Sequence, residues 1–85
     1  MQKVGEFKKG DYVQINPEIQ NKYMMNGLII GKKRSKLAGQ YFTVSKKYYI
    51  GDWRNRQVRY NLEGLGNMPF GKNMLIKSDR EENEL

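Results

Sequence analysis

The stretch Phe7-Lys-Lys-Gly-Asp-Tyr-Val-Gln-Ile15 constrains the fold more than any other part of this chain. Gly10-Asp11 is a turn signal. Val13 and Ile15 then alternate with Tyr12 and Gln14, which reads as a tight turn feeding a half-buried strand. Asn16-Pro17 ends that strand, because proline cannot donate to a ladder and restrains the residue before it.

The chain continues in short segments separated by turns. Glu18 to Asn26 is polar with a Tyr23-Met24-Met25 patch, and Asn26-Gly27 is a strong turn signal. Leu28 to Lys32 reads as a second short strand, and Lys32-Lys33-Arg34-Ser35-Lys36 as a charged loop. A strand runs from Tyr41 to about Tyr49, rich in the aromatic and β-branched residues that suit a pleated surface. Gly51-Asp52 opens a polar loop that runs to Arg56. Gln57 to Glu63 alternates, with Val58, Tyr60 and Leu62 facing in and Arg59, Asn61 and Glu63 facing out. Asn73 to Lys77 forms a last strand, or a 3₁₀ turn followed by one. Short strands with glycine-rich turns and almost no helical periodicity indicate an all-β barrel. Its expected core is Val13, Ile15, Ile30, Phe42, Val44, Val58, Tyr60, Leu62, Phe70 and Leu75.

Eighty-five residues make one domain with a limited core. The expected division is a barrel over residues 1–78 and a disordered acidic tail over 79–85. The chain has no cysteine and no histidine, which removes disulfides, thiolate zinc sites and Cys or His nucleophiles. Met1 to Gly10 is charged and has no apolar core, so it does not read as a secretory signal. The longest aliphatic run is Leu28-Ile29-Ile30, far short of the roughly 20 apolar residues of a bilayer span. A cytoplasmic location without membrane association is the expectation.

The net charge of +7 is unevenly spread. Residues 79–85 carry −3, whereas residues 1–78 hold 15 Lys/Arg against five acids. A body this basic suggests an anionic partner, with nucleic acid the usual candidate. The alternative is that lysines keep a small barrel soluble and protect its edges.

The segments Gly10-Asp-Tyr-Val-Gln-Ile15, Ala38-Gly-Gln-Tyr-Phe-Thr-Val44, Tyr60-Asn-Leu-Glu-Gly64 and Asn73-Met-Leu75 occur in an order that resembles the small SH3-like barrels of phages and prophages. Among these the chain resembles the YorP-like group. The likeness runs from about Phe7 to Ile76 and implies a small open five-stranded SH3-like barrel. It implies no established activity. A similar topology occurs in KOW-type RNA-binding domains, which is analogy of fold only.

Gly66-Asn-Met-Pro-Phe-Gly-Lys-Asn73 approaches a phosphate-binding loop but departs from it at three points. Asn73 stands where a hydroxyl should bind Mg²⁺, Pro69 removes a backbone donor, and the dozen residues that follow are not amphipathic. The acids Glu6, Asp11, Glu18, Asp52 and Glu63 are scattered, so no pair suggests acid–base catalysis. Asp11 reads as a turn organiser. The chain is therefore expected to be a non-enzymatic binding module with no cofactor and no metal.

The basic clusters carry the functional expectation. Lys32, Lys33, Arg34 and Lys36 lie in one loop. Lys46 and Lys47 follow the Phe42–Val44 segment, and Arg54, Arg56 and Arg59 surround the next loop beside Trp53. Guanidinium and ammonium groups hold phosphates, and unpaired bases stack on aromatic faces such as Trp53 and Tyr48 or Tyr49. These ten residues form the candidate nucleic-acid surface, if the two loops lie together. Against it, Trp53 would cap the barrel end and the lysines would be solvated. A second possibility is a module that binds a host or phage protein through an exposed edge strand or through loop aromatics, with Tyr12, Tyr23, Met24, Met25 and Trp53 as an apolar patch.

Overall fold

The turn before the first strand forms as its residues require. A computed structural model describes residues 6–78. Within it, Asp11 N–H donates to Lys8 O at 3.0 Å, and Gly10 has φ +95°, as the third position of a type II turn demands. Lys8 N–H donates to the Asp11 carboxylate at 3.0 Å, so Asp11 does organise this turn. β1 (Tyr12–Ile15) follows with Val13 and Ile15 fully buried.

Six strands are present among the described residues, arranged in two sheets rather than one five-stranded sheet. The larger sheet is antiparallel in the order β5-β4-β1-β6. β4 (Tyr41–Ile50) is its long member. It pairs with β1 over Tyr41–Thr43, and with β5 (Gln57–Leu62) over Val44–Ile50. A bulge between Val44 and Lys46 separates the two pairings, where an extra residue bends a strand and increases its twist. β6 (Leu75–Lys77) closes on the other side of β1 after a 3₁₀ turn at Lys72–Met74. A single bridge joins Tyr60 to Phe70, with bonds of 2.9 and 2.8 Å.

The connection from β1 to β4 builds the second sheet. Asn16 caps a 3₁₀ turn over Pro17–Asn21 by accepting from Glu18 N–H at 2.9 Å, and the turn buries Ile19. β2 (Met24–Met25) and β3 (Leu28–Ile29) then form a hairpin. Asn26 and Gly27 sit at its corner with φ of 52° and 79°, the two left-handed positions of a type I′ turn. The expected strand over Leu28–Lys32 stops at Ile29, and the expected charged loop is instead α1 (Gly31–Lys36). Half-buried Leu37 and Ala38 seat the C-terminal end of α1 against the core.

Nine of the ten expected core residues are buried, and Phe42 packs half-buried at the edge. Phe7, Ile19 and Met74 join them. Phe7 meets Tyr60 edge to face at 5.4 Å, and its N–H donates to the Tyr60 hydroxyl at 3.0 Å. Burial pushes the Tyr60 phenol up. The expected outward face of β5 is the main correction. Arg59 is 5% exposed and Asn61 6% exposed, so β5 is covered on both sides. Among the described residues no helix is long and apolar enough to cross a membrane. The expected acidic tail, residues 79–85, lies outside the described residues.

Candidate functional site

β4 and β5 run past the core, and every residue from Tyr49 to Gln57 is exposed. The loop that joins them has a defined shape. Gly51 has φ +89°, and a Cβ there would collide with the backbone oxygen of Asn55. Asp52 Oδ1 accepts from Arg54 N–H at 3.0 Å and from Asn55 N–H at 3.1 Å, an Asx turn that holds the loop from its own side chain. This places Trp53 outward at 84% exposure, so it does not cap the barrel. The Arg54 guanidinium lies over its ring, 4.9 Å from the centroid.

Further cation–aromatic pairs line the same hairpin. Arg56 lies 4.5 Å from the Tyr49 ring centroid, Lys47 5.7 Å from the same ring, and Lys46 5.4 Å from that of Tyr48. The strand register sorts them by face. Lys47 and Tyr49 stand opposite Tyr60 and Val58, whereas Lys46 and Tyr48 stand opposite Asn61 and Arg59 on the reverse face. Lys47 is already engaged, with Nζ 2.9 Å from Glu6 Oε1, and the Tyr49 hydroxyl donates to that same oxygen at 2.9 Å. These bonds, Lys47 first, hold the Glu6 carboxyl below its ordinary pKa, and Glu6 in turn raises that of Lys47. Such pairs leave a cation beside an aromatic face, which is what a base and its phosphate need together.

With Lys47 tied to Glu6, the other nine expected residues divide into three groups. Lys46, Trp53, Arg54 and Arg56 are exposed on the hairpin. Lys32, Lys33 and Lys36 are exposed on α1, which packs against the Pro17–Asn21 turn. Arg34 and Arg59 are not displayed outward: Arg34 is half-buried and Arg59 buried. Arg34 donates to Pro69 O from Nε at 3.1 Å and Nη2 at 2.8 Å, and to Ile29 O from Nη1 at 2.9 Å. Its guanidinium also lies 5.6 Å from the centroid of buried Phe70. Arg59 donates to its own Val58 O at 3.1 Å and to Asn26 O at 2.9 Å. One holds the end of the β2–β3 hairpin and the other holds its corner.

The connection after β1 does approach the β4–β5 hairpin, through the Asn26-Gly27 corner meeting Arg59 rather than through the lysine run. That corner also reaches the last 3₁₀ turn, since Asn26 Oδ1 accepts from Asn73 N–H at 2.7 Å. Lys72 belongs to this neighbourhood, beside Glu6, Arg56 and Arg59 around one cleft. It was missed as a site residue, although it is the lysine of the near phosphate-loop pattern. That pattern builds no phosphate loop here, because Lys72–Met74 is a 3₁₀ turn that runs directly into β6. The expected apolar patch also divides. Tyr23 and Met24 lie on the β2–β3 hairpin with exposed Ile29 opposite Met24, while Tyr12 stacks on Tyr41 across β1 and β4 at 5.7 Å. Searches of known protein families, curated proteins and solved structures return no significant match to this chain.

Proposed function

We propose that this chain is a small, open SH3-like barrel of phage or prophage type, related in kind to the YorP-like group. In this reading it is a cytoplasmic, non-enzymatic module that binds nucleic acid with low sequence specificity. The SH3-like reading is supported by the pairing of the first strand with the last and by the bulge that bends β4 between its two partners. The observation that carries the function is the Trp53–Arg54 pair, outward at a hairpin tip that Gly51 and Asp52 hold in shape. A base stacks on Trp53, and Arg54, Arg56 and Lys46 neutralise phosphates and release counterions. Stacking accepts any base, so specificity is low.

Anisotropy of labelled single-stranded DNA and RNA across a range of salt tests this reading. Three phosphate contacts predict a slope of log K against log salt of about −2. Saturable binding with that slope supports the proposal, and a flat titration at low salt contradicts it.

A second reading, docking of a host or phage protein, is favoured by one observation. Tyr23 at 73% exposure, Met24 and Ile29 present an apolar face on the β2–β3 hairpin. A contact anchored there would weaken much less with salt and would be insensitive to Trp53→Ala.

A further inference from the structure

The Asn26-Gly27 corner, the start of β5 and the Lys72–Met74 turn enclose a cleft of about 380 Å³. That is near the lower end of the roughly 300–1,000 Å³ typical of small-ligand pockets. Its lining includes Arg56, Arg59 and Lys72 against one acid, Glu6, and Glu6 is bonded to Lys47 and Tyr49. Gly27 stands over the Arg59 guanidinium. A Cβ there would already lie 3.6 Å from Nη2, so a longer side chain would lie over that group.

Arg59 is an unusual floor for such a cleft. Buried charges are ordinarily paired with an opposite charge. Arg59 instead donates to two neutral carbonyls, and so does Arg34; among the described residues neither is in an ion pair. The Arg34 guanidinium is held below its ordinary pKa by burial first and by the Arg59 charge second. Buried Arg59 and half-buried Arg34 thus repel one another, and an anion against Arg59 in the cleft would offset that repulsion.

We propose that this cleft is a phosphate subsite, where Arg59, Arg56 and Lys72 hold a phosphate group of a strand whose bases lie on the β4–β5 hairpin. Arg56 joins the two places, because it lines the cleft and lies over Tyr49. The choice of a nucleic-acid phosphate rests on the function proposed above; the affinity of the cleft for phosphate does not.

The first test is NMR titration with inorganic phosphate against chloride at constant ionic strength. The Arg59 Nε–Hε signal and the amides of Gly27 and Lys72 should shift saturably, with the Trp53 indole unmoved. Lys72 is exposed, so Lys72→Gln keeps the fold, and it should weaken phosphate binding about tenfold. Shifts that do not saturate, or that spread evenly over the surface lysines, overturn the proposal. Oligonucleotides with a 5′-phosphate, a 3′-phosphate or neither then locate the source. Tighter binding of one phosphorylated end places that end in the cleft. Equal binding that Lys72→Gln weakens alike places an internal phosphodiester there. Equal binding untouched by Lys72→Gln overturns the subsite, and a Trp53 response in that same experiment leaves the hairpin surface standing.

Discussion

Arg34 over Phe70 and Arg54 over Trp53 are the same chemical pair with opposite consequences. In the first, the ring is fully buried and the guanidinium donates to two backbone carbonyls. In the second, the ring is outward and its arginine's neighbour Asp52 holds the backbone rather than the guanidinium. An arginine that donates to carbonyls fixes structure, and only its remaining donors can meet a ligand. One whose donors face water is ready for an anion. The contrast separates the β2–β3 hairpin, held down by Arg34 and Arg59, from the β4–β5 hairpin, which carries its cations outward.

The largest effect should come from the buried member. Arg34→Ala leaves Pro69 O and Ile29 O without their donor, and it should lower unfolding stability by about 2 kcal/mol in chemical denaturation. Hydrogen exchange at Met24 to Ile29 should quicken in the same variant. Arg54→Ala should do neither, and equal losses in the two variants would erase the distinction between the hairpins.

Trp53→Ala reverses the pattern. Stability should stay within about 0.5 kcal/mol, as for an exposed side chain. Oligonucleotide affinity should fall about tenfold, the loss of one stacked base. A variant that unfolds early instead would make Trp53 a structural residue.

Charge removal on the hairpin is a finer probe. Arg54→Gln and Arg56→Gln should each reduce the salt slope by about 0.7, one phosphate contact on a single strand. Lys32→Gln on α1 should leave the slope unchanged if binding is confined to the hairpin and cleft. A loss of slope at Lys32 would extend the surface to α1.

The smallest effect concerns Glu6. Its folded pKa is lowered, so its contact with Lys47 and Tyr49 is fully present above the ordinary carboxylate range near ~4.3 and is lost as pH falls through the lowered value. Tyr49 ring signals should move in that acid range while core signals stay native. At neutral pH, Glu6→Gln should free Lys47 and tighten oligonucleotide binding a few-fold. Weaker binding would mean that Glu6 positions Tyr49 for its ligand rather than competing with it.

Much of the fold can be read from local pattern. The Val13/Ile15 alternation, the Asn26-Gly27 corner, the strand beginning at Tyr41 and the turn at Gly10-Asp11 all depend on neighbouring residues and appear where expected. α1 does not, because Gly31–Lys36 has no apolar periodicity, and its seating depends on Leu37 and Ala38 finding the core. Ile19 gives no signal either, as a lone apolar residue in a polar stretch. The site shows the same limit. Composition marks Arg34, Arg54, Arg56 and Arg59 alike. The carbonyls that engage Arg34 and Arg59 include those of Pro69, 35 residues away, and Asn26, 33 residues away. Only the folded chain separates Arg34 and Arg59, which brace the backbone, from Arg54 and Arg56, which stand exposed.

The central claim is that the outward hairpin, through Trp53, meets nucleic acid. Trp53 is the chain's single tryptophan, so its fluorescence reports that contact without a label. Titration with short single-stranded DNA and RNA, at low and at physiological salt, should give a saturable change that weakens as salt rises. Unchanged fluorescence, with oligonucleotide anisotropy equally flat, would contradict the claim.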